Sequence, residues 1–61
     1  MDNVVFWIVT EKLSDGSEVF AVEISGEKYD CITEQNARDF ADAMVELLEK
    51  HTNIEAVVME A

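Results

Sequence analysis

Along this chain the spacing of apolar positions changes character several times, and each change marks an element. From Val4 to Val9 the run VVFWIV is β-branched and aromatic with no helical gaps, which predicts a strand apolar on both faces and therefore central in a sheet. Ser14-Asp15-Gly16-Ser17 interrupts it with turn-tolerant residues, and a second strand is predicted from Glu18 to Ile24. Ser25-Gly26 permits another turn before a short, charged third strand, Lys28 to Ile32, of the kind found at sheet edges. From Thr33 to His51, TEQNARDFADAMVELLEKH, the period becomes helical. At about 100° per residue, Ala37, Phe40, Ala41, Met44, Leu47 and Leu48 share an apolar arc about 120° wide. Thr33 suits the N-cap, Glu34 the first turn, and Lys50 and His51 the C-terminal end. Thr52-Asn53 closes the helix; Ile54 to Met59 has strand composition, a helical continuation being the alternative.

The first hairpin admits two registers. A type I turn over Ser14-Asp15-Gly16, with Gly16 left-handed as a bulge, sets Lys12 opposite Glu18, Thr10 opposite Phe20 and Ile8 opposite Val22. One face is then almost wholly apolar and Trp7 looks across to Glu23 on the other. A two-residue Asp15-Gly16 turn would bring Trp7 into the core at the cost of setting Glu11 against Phe20. The bulged register is the expectation. In the second hairpin Lys28 is expected opposite Glu23, with Tyr29 and Cys31 on the face of Val22 and Phe20.

The resulting fold class is α+β, in the order β-β-β-α-β: a three-stranded antiparallel meander, one helix on one face, and a C-terminal strand. A right-handed crossover through the helix places the last strand parallel to the first, giving the sheet order 3-2-1-4. The 61 residues make a single domain with one small core, near the lower limit for folding without staples.

Charge sharpens this picture. Four Lys and Arg against fourteen Asp and Glu give a net charge of −10. Such a field repels phosphate backbones and anionic lipid and attracts basic protein surfaces, so the expected partner is a basic protein, with no direct nucleic-acid or membrane binding. The stretch MDNVVFWIV has no basic n-region or small-residue cleavage site, and its apolar run is too short to span a bilayer, so a soluble cytoplasmic location is expected.

Catalytic chemistry finds little to work with. One cysteine, Cys31, and one histidine, His51, stand at opposite ends of the helical segment, about 27 Å apart at 1.5 Å per residue, too far to make a thiolate pair. Cys31 reads as a small apolar side chain and His51 as a helix-end group. No zinc set, calcium loop or phosphate-cradling loop is present in the sequence, and exposed carboxylates lack an environment that raises their pKa. The expectation is a non-enzyme with no cofactor and no metal.

Two surfaces remain. Asp39, Asp42, Glu46 and Glu49 share an arc about 80° wide on the far side of the helix, and span about 15 Å of it. At roughly one charge per 4 Å this approaches the spacing of phosphates along one DNA strand, about 3.4 Å, as a nucleic-acid mimic would need. An ordinary solvated face satisfies the same pattern, and Arg38 and Lys50 stand at helical spacing to blunt it. The helical segment has two cations against five carboxylates, a balance of −3, leaving −7 elsewhere. The second surface is the uncovered sheet face, where the bulged register leaves Val5, Trp7, Val9, Val19 and Ala21. It would serve as a docking anchor or as the contact of a homodimer.

The Asp15-Gly16 hairpin, Cys31 ending the third strand and a helix opened by Thr33 resemble, over Val4 to Leu48, the small antitoxin domains of the HicB type. That resemblance implies a degenerate ribonuclease-H-like fold that masks a basic toxin. The chain departs from the family in having no proline loop and no Gly-Cys pair before the helix, since Cys31 follows Asp30, and no DNA-binding tail is expected. The leading expectation is a small acidic interaction protein of the sort phages and mobile elements use to block basic nucleic-acid-handling proteins. In that reading the helix stripe supplies charge and Trp7 or its neighbours the apolar anchor. The alternatives are the antitoxin-type domain and a homodimeric assembly module.

Overall fold

The computed structural model describes residues 3–61; Met1 and Asp2, the first residues of MDNVVFWIV, lie outside the described residues. The chain forms β1 (Asn3–Lys12), β2 (Glu18–Ile24), β3 (Glu27–Ile32), α1 (Glu34–His51) and β4 (Glu55–Glu60). One four-stranded sheet has the order β3-β2-β1-β4, with β1 antiparallel to β2, β2 antiparallel to β3, and β4 parallel to β1. This is the α+β arrangement the pattern predicts, with the doubly apolar strand inside. β1 extends three residues past Val9 to Lys12, because its ladder with β2 continues to the pair Lys12 and Glu18.

The bulged hairpin register is the one adopted. Ile8 pairs with Val22, Thr10 with Phe20, and Trp7 with Glu23. The Leu13 N–H donates to the Ser17 carbonyl at 2.8 Å and the Gly16 N–H to the Leu13 carbonyl at 3.0 Å, while Gly16 takes φ +91°, the left-handed bulge position. Asp15 Oδ1 accepts from the Ser17 N–H at 2.9 Å and from its hydroxyl at 2.6 Å, which locks the turn from the side-chain end. Lys12 and Glu18 are register partners, but no ion pair joins them among the described residues.

Between β2 and β3 the register runs Glu23 with Lys28 and Val22 with Tyr29, then slips, so that Phe20 faces Ile32 and Cys31 is the extra residue. The slip ends in a three-residue turn, with the Thr33 N–H donating to the Cys31 carbonyl at 2.8 Å and Ile32 at φ +73°. Cys31 packs against the core and Ile32 points to solvent at 67% exposure. Thr33 is the N-cap, its hydroxyl accepting from the Asn36 N–H at 3.1 Å, and the Asn36 side chain donates back to the Cys31 carbonyl at 3.0 Å.

The core lies between the sheet and α1. Phe6, Ile8, Val22, Ala37 and Ala41 are buried, and Val4, Phe20, Ile24, Cys31, Ala56 and Val58 from the strands pack around them. The small Ala37 and Ala41 let the helix axis approach the sheet closely, while Phe40, Met44, Val45 and Leu48 fill the flanks. Leu47 is not part of this seam, as the 120° arc suggests, but is 51% exposed. It stands at one edge of the arc and Val45 just beyond the other, and the helix is rolled toward Val45. The Tyr29 and Phe40 rings stack with centroids 6.1 Å apart, joining β3 to α1. Arg38 bonds Glu34 at 3.0 Å and also pairs with Glu60, tying the helix to the end of β4.

Candidate functional site

The helix separates the two candidate surfaces. Its buried face centres on Ala37 and Ala41, and Asp39, Asp42, Glu46 and Glu49 are all exposed on the side turned away from the sheet. About 140° of helical rotation divides the Ala37 and Ala41 centre of the buried face from the centre of the carboxylate stripe. The stripe is only lightly neutralised: Asp39 accepts from the Gln35 amide at 2.8 Å, and Arg38 is drawn to Glu34 and Glu60 instead of Asp42. Lys50 makes no ion pair among the described residues. Glu49 also stands at the rim of a hollow of about 460 Å³, formed where α1 runs through Thr52, Asn53 and Ile54 into β4.

The opposite side of the sheet is built by strand alternation. Because Val4, Phe6 and Ile8 face the helix, Val5, Trp7, Val9 and Glu11 of β1 face outward, and the register places Val19, Ala21 and Glu23 of β2 beside them. Trp7 is 38% exposed; Val5, Val9 and Val19 are half-buried by their neighbours. Ala21 differs from the sequence expectation: at 0% exposure it is the floor of the face and not part of its accessible surface. A short side chain between Val9 and Asp30 is overlaid by longer ones on both sides.

Two contributors were missed by the sequence reading. The parallel pairing sets Val57 beside Val5 and Met59 beside Trp7, and these β4 side chains are 51% and 47% exposed. Alternation alone would have found them, once the last strand is set next to the first and its inward residues, Ala56 and Val58, are recognised.

The apolar patch has an acidic border. Glu11, Glu23, Asp30 and Glu55 lie on the same face by register, with Lys28 as the one cation among them. Although Lys28 pairs in register with Glu23, its Nζ lies 3.6 Å from Glu11 Oε1. Glu23 is half-buried and has no ion-pair partner among the described residues. Beside it a hollow of about 390 Å³ opens between the start of β1 and the β2–β3 turn, walled by Asn3, Val5, Trp7, Glu23 and Ser25-Gly26. Ser25 and Gly26 both have positive φ, 51° and 85°, which gives the tight turn that leaves this space open.

The remaining candidates are unremarkable in position. Cys31 Sγ contacts the Tyr29 carbonyl at 3.4 Å, and His51 is exposed at the end of α1. The Tyr29 hydroxyl donates to Glu27 at 2.8 Å, and that carboxylate holds its pKa above the ordinary 10.0. Among the described residues no group of three or more His, Cys, Asp or Glu side chains converges to hold a metal ion. No helix there is long and apolar enough to cross a membrane. In comparisons with known proteins, no family model, curated protein or solved structure matches this chain.

Proposed function

We propose that this chain is a non-enzymatic interaction protein that docks a basic protein through the open face of its sheet. The observation that carries the reading is the composition of that face: Trp7, Val57 and Met59 stand exposed together inside a border of four carboxylates, and Lys28, the one cation there among the described residues, is held by Glu11. An aromatic anchor within an apolar patch is the usual energetic centre of an interface, and an acidic border selects a basic rim on the other side. Asp39, Asp42, Glu46 and Glu49 lie on the far side of the helix, so a partner seated on the sheet does not cover them. Their part in the proposal is to strengthen the long-range field that steers a basic partner inward.

A second copy suits this face less well. Each copy carries −10, and stacking two open faces sets acidic borders against each other. A stable interface takes about 800 Å² from each partner, close to a fifth of the 4419 Å² surface of this molecule, so nearly the whole face, border included, would have to desolvate. The proposed biological form is a small intracellular blocker of a nucleic-acid-handling protein, of the phage or mobile-element kind. The HicB-type resemblance points to the same chemistry, since there too the masked partner is basic.

The test is capture from the native host followed by measurement on the purified pair. The captured protein is expected to be basic, Trp7→Ser to weaken the pair by about tenfold or more, and affinity to fall as salt rises. Reversal of Asp42 and Glu46 to Lys is expected to slow association and flatten the salt dependence while leaving dissociation unchanged. Affinity indifferent to Trp7→Ser but abolished by the helix reversals would overturn the reading.

A further inference from the structure

We propose that the hollow beside Trp7 receives an arginine side chain of the partner, with its guanidinium over the indole and its N–H groups on the Glu23 carboxylate. This rests on the docking reading above and names the chemistry at its centre. The hollow of about 390 Å³ is near the small end of ligand sites and has room for an arginine side chain. Its two polar and aromatic walls are register partners on adjacent strands, Trp7 on β1 and Glu23 on β2, so both are held by the rigid part of the sheet.

Glu23 is available to a visitor. It is half-buried, and Lys28, its neighbour by register, is turned to Glu11 at 3.6 Å. A half-buried carboxylate beside an aromatic face favours a cation, and among cations it favours the guanidinium. That group is flat, weakly hydrated, stacks on an indole and meets a carboxylate through two parallel N–H bonds, whereas an ammonium does the last alone and singly. The same logic excludes a second copy as the donor. The chain has one arginine, Arg38, and it is already engaged by Glu34 and Glu60. The guanidinium must come from a different protein.

The experiment titrates the isotopically labelled chain with N-acetyl-L-arginine methylamide, following the Trp7 indole N–H and the Glu23 amide by NMR. The lysine and citrulline counterparts are run at matched ionic strength. Saturable shifts at both positions are expected for the arginine compound, with binding weaker by about threefold or more for lysine and non-saturating for citrulline. Glu23→Gln and Trp7→Leu are each expected to weaken the arginine compound by about threefold or more, and Glu18→Gln, at the distant hairpin end, to change nothing. Equal binding of lysine, indifference to Glu23→Gln, or an equal loss in Glu18→Gln would each overturn the proposal. If the arginine compound fails to bind while Trp7→Ser still weakens partner binding by about tenfold or more, the arginine site falls and the docking reading stands. If it binds while the partner ignores Trp7→Ser, the docking reading alone falls.

Discussion

Lys28 lies opposite Glu23 in the β2–β3 ladder, yet its ammonium sits 3.6 Å from Glu11, on the far side of β2. The side chain thus crosses the strand that carries fully buried Ala21 and leaves the nearer carboxylate free. Both ends of the pair are well exposed, so its own contribution to stability is small. Lys28→Met is expected to change unfolding free energy by less than about 1 kcal/mol, measured by urea titration. Because it removes the only cation on the open face among the described residues, it should also speed association with a basic partner a few-fold at low salt, by about the amount electrostatic steering supplies for one charge. A slower association in stopped flow would contradict the acidic-border account.

The hairpin turn gives a prediction free of packing effects. A Cβ at Gly16 would meet nothing within 4 Å, so Gly16→Ala tests the left-handed backbone alone and should cost about 1 to 2 kcal/mol. The same turn has a pH signature. Hydrogen bonds from the Ser17 side chain and then its backbone N–H lower the Asp15 pKa from the ordinary 3.8. A lowered folded value means that the contribution to stability is present above 3.8 and is lost as pH falls through the folded value. Ser17→Ala removes the hydroxyl bond but keeps the backbone one, so it should move the Asp15 titration part of the way back toward 3.8 in NMR and weaken that acid-side dependence.

Ile32 is a β-branched residue at φ +73°, and two-thirds of its surface is in water. It gains little from burial and bears the cost of a left-handed backbone, so Ile32→Asn or Ile32→Gly should stabilise the protein by about 1 kcal/mol. A loss of stability in both variants would show that the three-residue turn into the helix depends on the isoleucine.

Phe6 and Leu47 give the sharpest contrast between the core and its edge. Phe6→Ala removes one of the largest fully buried side chains and is expected to cost about 3 to 5 kcal/mol, enough to unfold most of so small a domain. Leu47→Ala should cost under about 0.5 kcal/mol, as surface changes usually do. Circular dichroism during thermal unfolding reads both.

These contrasts also show what the residues reveal in advance. The strand order and the hairpin register are legible because the continuous apolar run of Val4 to Val9 marks a central strand and the Asp15-Gly16 turn admits few pairings, only one of which keeps Glu11 away from Phe20. The roll of the helix is not legible, since Val45 and Leu47 are chemically alike and sit at opposite edges of one arc. The slip at Cys31 depends on a left-handed Ile32 that no propensity favours. On the functional side, Trp7 and Val5 could be placed on the open face from the register, whereas Ala21 could not be recognised as its floor, nor Lys28 as the partner of Glu11. Those depend on how long side chains lean across neighbouring strands, which alternation does not specify. Arg38 joining Glu60 was hidden for a similar reason, because the meeting depends on how the helix sits over β4.

The central claim is that the partner sits on the sheet and not on the helix, and amide and side-chain shift mapping of the labelled chain on binding its purified basic partner tests it most directly. Large perturbations are expected at Val5, Trp7, Val9, Val19, Glu23, Val57 and Met59, with Asp39, Asp42, Glu46 and Glu49 nearly unmoved. Perturbations concentrated on those four helix carboxylates, with the Trp7 indole unmoved, would contradict it.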